Sequence, residues 1–167
     1  FVTDGKKHSV KMKNRVNLND LLKLNYIGSF SFTIIRKSSI NNIRIDDELS
    51  SCQDWDLWIK ILSNTRTTAI NTGFFSVYYR IHDVNRISTN MANTLSGYRR
   101  WAEIHTDLFD FPLIRFHTTI LKERSNKEYF LKRILRATLY GFMFPLRTDL
   151  TILLFKNALI DAIKNKI

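Results

Sequence analysis

The apolar positions along the chain change period several times, and each change predicts an element. From residue 53 to 62 the spacing Trp55, Trp58/Ile59, Leu62 marks an amphipathic helix, with Asp56 and Lys60 as an i,i+4 pair on its wetter side. Ser51 and Asp54, three positions apart, have the form of a capping box; this starts the helix near Ser51 or Cys52 and leaves Asp54 in the first turn. Residues 17–25 read as a short capped helix with Leu18, Leu21, Leu22 and Leu24 inward. Residues 26–36 alternate and are rich in aromatic and branched side chains, which predicts a buried strand.

A single helical turn is expected at 38–42, and two further strands at 66–70 and 74–82 around Asn71-Thr72-Gly73. Near the start, Asp4-Gly5 between extended segments signals a hairpin. Met91, Leu95, Tyr98, Ala102 and His105 fall at helical spacing. Beyond Pro112, Ser125 and Glu128 bracket a capping box for a helix. It would carry Phe130, Leu131, Ile134, Leu135 and Leu139 on one side and Lys132, Arg133 and Arg136 on the other. Pro145 ends that helix, and Thr148 opens a last one reaching to about Lys164. Neither apolar run attains the roughly 18–20 residues of a membrane span. Both are interrupted by Lys or Arg, so residues 126–167 are suited to packing as a small helical subdomain, to lying on an anionic membrane surface, or to both.

Composition narrows the class. An apolar fraction of 44% with 12 Phe, 6 Tyr and 3 Trp describes a folded chain, and 167 residues suffice for one core. The one cysteine, Cys52, excludes an internal disulfide and fits a reducing compartment. The net charge of +11 is uneven: five basic against one acidic in 1–15, ten against ten in 16–110, eleven against four in 111–167. A nucleic-acid-binding module is the reading that +11 and the aromatics suggest. Against it, the basic excess lies beside long apolar runs at the two ends, while the distinctive residues sit in the charge-balanced middle, so no nucleic acid is expected. With 5 Gly there is no place for a phosphate-loop or dinucleotide fingerprint, and no cysteine pair or GxSxG elbow occurs.

Asp54 is the main candidate for chemistry. A helix N-terminus favours its carboxylate, whereas water-excluding aromatic neighbours favour the neutral acid. The plain reading is a helix cap; the sharper one is a general base. His82, in a loop with Asn85, Arg86 and Ser88, suits a grip on a metal or a diphosphate, against the plain reading of a surface histidine. The acidic run Asp46-Asp47-Glu48 could hold a cation, or be solvated.

Three features in order carry a resemblance: the stretch 27–38, the block Ile45-Asp46-Asp47-Glu48-Leu49 leading into Gln53-Asp54-Trp55-Asp56-Leu57-Trp58-Ile59, and Tyr79-Arg80-Ile81-His82 through Ser88. Together they resemble the second half of a family-2, GT-A-type glycosyltransferase, over about residues 1–105. Arg44-Ile45 and Gln53 depart from the Gly-Phe and Glu often found there, which bears on substrate class.

The resemblance implies an α/β fold: a partial GT-A-type mixed sheet with flanking helices, followed by a C-terminal helical segment. Residues 1–110 would be the acceptor-side part of the catalytic domain and 111–167 a basic amphipathic helical subdomain. Asp54 would be the catalytic base, taking a proton from an acceptor hydroxyl as it attacks the anomeric carbon of a nucleotide-sugar, with inversion. His82 would hold Mg2+ or Mn2+ on the diphosphate, Arg86 and Ser88 would contact phosphate, and Ser29, Ser31 and Trp55 would lie on the acceptor side. The acceptor would be a saccharide or lipid-linked sugar in bacterial cell-surface polysaccharide synthesis, with the enzyme cytoplasmic and peripheral on the inner face of the membrane.

Asp54-Trp55-Asp56 has the letters of the DXD metal motif, but two residues apart in a helix the carboxylates point about 200° apart and cannot readily share one ion. The nucleotide-binding half would lie upstream of Phe1, so this chain by itself is expected not to turn over.

Overall fold

The computed structural model describes residues 2–3, 6–7, 13–65, 67–74, 77, 90–126 and 130–164. Asn17 and Asp20 form a reciprocal capping box. Asn17 Oδ1 accepts from the Asp20 amide at 2.9 Å, and Asp20 Oδ2 accepts from the Asn17 amide at 3.0 Å. The box opens α1 (Leu18–Leu21), whose Leu21, with Leu22 after it, is buried while Leu24 is exposed. Helix α1 packs on α2 (Gln53–Thr65), and the Trp55 indole donates to the Leu21 carbonyl at 2.6 Å.

The chain is mostly helical, and its described β structure is small. Strand β1 (Val2–Thr3) pairs antiparallel with β2 (Lys6–Lys7), as the Asp-Gly signal predicts, and β3 (Arg15–Val16) pairs antiparallel with β4 (Ala69–Ile70). Each ladder has two strands, so the mixed sheet expected from the resemblance is not formed among the described residues. The buried strand expected at 26–36 is likewise corrected. Gly28 takes φ +86°, Phe30–Phe32 is a 3-10 turn closed by the Thr33 hydroxyl on the Phe30 carbonyl, and Ile34 is wholly exposed. The Trp58 indole holds the Gly28 carbonyl at 2.8 Å, a bond that takes the segment out of an extended course. The helical turn expected at 38–42 is present as a 3-10 turn at Lys37–Ile40. Of the two strands expected after α2, the first contributes β4, and its partner is β3; residues 75–76 and 78–82 of the second lie outside the described residues.

The chain divides into two compact units, Phe1–Trp101 and Ala102–Ile167. In the first, α3 (Met91–Ile104) supplies Tyr98 and Trp101, both buried, and Trp55 stacks on Trp101 at 3.8 Å between centroids. Gly97 on the same helix face meets the turn before α2. A Cβ there would stand 2.8 Å from the Ser51 carbonyl oxygen and closer still to its amide, so only glycine allows the approach.

The second unit is helical: α4 (Phe111–Asn126), α5 (Phe130–Met143) and α6 (Thr148–Lys164), with α6 packed on both others. Asp110 caps α4 by accepting from the Leu113 amide at 2.9 Å. Ser125 lies within α4, so the capping box expected at Ser125 does not start α5. On α5, Ala137 and Tyr140 are buried, whereas Leu135 and Leu139 are exposed. Tyr140 donates to the Pro112 carbonyl at 2.7 Å, and burial pushes its hydroxyl up to about 12. Glu123, buried, is paired with Arg133 at 3.2 Å. Among the described residues no helix is long and apolar enough to cross a membrane.

Candidate active site

The chain enters α2 through a tight turn. Cys52 adopts φ +67°, a left-handed conformation uncommon for a side chain other than Gly, Asn or Asp. Ser50 and Ser51 donate their hydroxyls to the carbonyls of Asn93 and Thr94 at 2.9 and 3.2 Å, which ties the turn to α3. These bonds replace the capping box expected between Ser51 and Asp54, and the helix begins at Gln53.

Asp54 is half-buried in the first turn. Its Oδ1 accepts from the Trp55 amide at 2.7 Å, and the described residues give it no cationic partner. Burial pushes its carboxyl above the usual 3.8, and the hydrogen bonds from the Trp55 and Asp54 amides offset only part of that rise. A carboxylate desolvated in this way binds a proton more strongly while remaining open on one side.

Asp56 is placed very differently from the wet position the pattern predicted. It is 0% exposed, and its Oδ2 accepts from Lys60 at 2.7 Å and from the Asp46 amide at 3.3 Å. Lys60 also donates to the Arg44 carbonyl at 2.8 Å. The i,i+4 pair therefore exists but is structural. With Asp56 committed to Lys60, it is not available to chelate an ion alongside Asp54. Two of the acids before the helix are committed too: Arg100 stands 3.0 Å from both Asp46 Oδ2 and Glu48 Oε2.

One helical turn beyond Asp54, Trp58 begins an open cleft of about 150 Å³. Trp58, Ile61 and Leu62 form its α2 side, and Ile34, Arg36 and Thr67 stand opposite. Phe30 meets Trp58 edge-on at 5.6 Å, which brings the segment holding Ser29 and Ser31 onto α2. Ser29 is half-buried and Ser31 exposed. Trp55, assigned to the acceptor side by the resemblance, is buried, with its ring stacked on Trp101 and its Nε1 given to Leu21; it serves packing. His82, Arg86 and Ser88 lie outside the described residues.

No protein-family model, curated protein or solved structure matches the chain. Its function therefore rests on the residues themselves. Among the described residues no group of three His, Cys, Asp or Glu side chains is placed to hold a metal ion.

Trp101 and Gly97, which set the position of the α2 start, were not singled out by periodicity. The signal for Trp101 was present: it follows Tyr98 by three residues on the inward stripe of α3. The cleft could have been sought from helical phase, since Trp58 lies four residues after Asp54.

Proposed function

We propose that the chain is the acceptor-side part of an inverting glycosyltransferase, with Asp54 as the base that deprotonates an acceptor hydroxyl. The observation that carries this reading is the state of Asp54: half-buried, raised in proton affinity by burial, held among the described residues by peptide amides, and one turn from a cleft with a tryptophan and polar groups on its walls. A base needs that combination of desolvation and an open side. The order of motifs that resembles family-2 glycosyltransferases supports the reaction class. The nucleotide-sugar would be bound by residues that this chain does not supply, and the attacking hydroxyl by the cleft along α2. Where a Mg2+ or Mn2+ ion takes part, it would neutralise charge on the diphosphate leaving group. The saccharide or lipid-linked acceptor and the role in cell-surface polysaccharide synthesis belong to the same proposal.

The test is transfer from uridine or guanosine diphosphate-sugars by the chain together with a nucleotide-binding half. Asp54→Asn should lower turnover about 10³-fold, within the range for losing a general base, while donor affinity holds. Turnover within a few-fold of the parent would remove Asp54 from the mechanism. Calorimetry on the 167-residue chain alone should show weak or no donor binding; micromolar affinity would contradict the division of labour.

A further inference from the structure

The turn that delivers Asp54 is closed by the residue just before it. Gln53 donates its side-chain Nε2 to the Leu49 carbonyl at 2.7 Å, spanning Ser50, Ser51 and Cys52. Leu49 is buried, and among the described residues no backbone amide hydrogen-bonds its carbonyl. The side-chain amide therefore takes the place of a backbone donor in a turn that Cys52 enters at φ +67°. Ser50 and Ser51 hold the outer part of the same turn to α3, so Gln53 supplies the bond within it.

A peptide carbonyl only accepts, so the group facing it at this distance must be a donor. Gln presents one at every pH. A carboxylate of the same length would set lone pairs against lone pairs. This requirement runs against the local electrostatics, because Gln53 is the first residue of α2 and the chain carries a net charge of +11. Both the helix dipole and the net charge favour an acid at that position. The charged groups about the turn are Asp54 on the same helix and Asp46, Asp47 and Glu48 in the loop before it. Arg100 of α3 is already shared between Asp46 and Glu48.

We infer that Gln53 is a positioning residue for Asp54: its amide bridges the turn to the Leu49 carbonyl and so fixes the first turn of α2, from which the Asp54 carboxylate is presented. This role rests on the assignment of Asp54 as the base.

The experiment compares Gln53→Glu and Gln53→Met with the parent 167-residue chain in urea unfolding at a series of pH values. At pH 7 Gln53→Glu should lower the midpoint by about 0.5 M, where the helix dipole alone would raise it. The Leu49 carbonyl opposes ionisation of the new acid and raises its folded-state value. Its deficit is therefore full above that value and closes as pH falls through it, because the protonated acid donates in place of the amide. Gln53→Met lacks a donor at any pH, so its deficit should not close. In the chain together with a nucleotide-binding half, both variants should lower kcat about tenfold at pH 7 while KM for the nucleotide-sugar holds. A Gln53→Glu midpoint at or above that of the parent at pH 7, or a deficit that does not close in acid, shows that the amide does not hold the turn and overturns the inference. Parental kcat in both variants, alongside an Asp54→Asn variant that has lost turnover, overturns the positioning role and leaves the base in place. Retained turnover in Asp54→Asn removes the base itself, and the positioning role with it.

Discussion

Two carboxylates stand two positions apart in α2, and the helix uses them in opposite ways. Asp56 is enclosed and neutralised by Lys60, which is itself anchored on the Arg44 carbonyl. Asp54, about 200° around the helix, is half-buried beside peptide amides without a countercharge among the described residues. The first arrangement makes the acid part of the scaffold, fixing the loop at Asp46 to the helix. The second leaves an acid whose ionised form is less comfortable than in water, which is the condition for reactivity. Which role an Asp takes here depends on whether a cation stands one turn away on the same face, more than on its distance from the helix end.

The largest effect should come from removing the support both faces share. Trp101→Ala deletes the ring on which Trp55 stacks, and a loss of about 3–5 kcal/mol in denaturant unfolding is expected for a fully buried indole. Asp56→Asn breaks the pair on one face only. With Lys60 partly able to rehydrate, a loss of about 2 kcal/mol in urea unfolding follows, less than for a fully enclosed pair. Cys52→Gly should stabilise by about 1 kcal/mol, because glycine takes φ +67° without the Cβ clash; a loss instead would mean the Cys52 side chain contributes more than its backbone costs.

Asp54→Asn should have the smallest effect on stability, and its sign separates the two carboxylates. The folded-state value of Asp54 is raised, so its contribution to stability is fully present below the usual 3.8 and is lost as pH rises through the folded value. At neutral pH the ionised group therefore weighs against folding. Asn removes that penalty, and the variant should be as stable as the parent or slightly more so. The advantage should close as pH falls below 3.8. A chemical-denaturation series against pH reads this directly. A neutral-pH loss matching that of Asp56→Asn would abolish the contrast.

Helical segments were legible in the sequence where period and cap agreed. Asn17 with Asp20, the Trp55 to Leu62 stripe, the Met91 start and the Thr148 start all correspond to helices. Helix α4 was missed although Asp110 followed by Pro112 is a start signal, the proline sitting in the first turn where its missing amide costs nothing. Alternation misled at 26–36, where Trp58, thirty residues on, takes the Gly28 carbonyl and overrides local β preference. The burial of Asp56 was not readable either. It depends on the Asp46 loop folding over that face, a contact between segments that period does not encode. On α5 the pattern put the bulky residues on one side without saying which side faces inward, and the close approach of Gly141 to α6 gives the interior to the side of Ala137 and Tyr140.

The contact between Gly97 and Ser51 has a kinetic consequence. Helix α2 can form from local interactions, but the turn that aims Asp54 is fixed by hydrogen bonds to α3, with Ser51 and Thr94 43 positions apart. Loop closure of that length carries an entropic cost before any contact rewards it, so α2 can be helical well before its first turn is set. In a refolding experiment, helical circular dichroism should recover ahead of the tryptophan fluorescence that reports Trp55 on Trp101. The Asp54 environment would then be among the last features of its unit to mature.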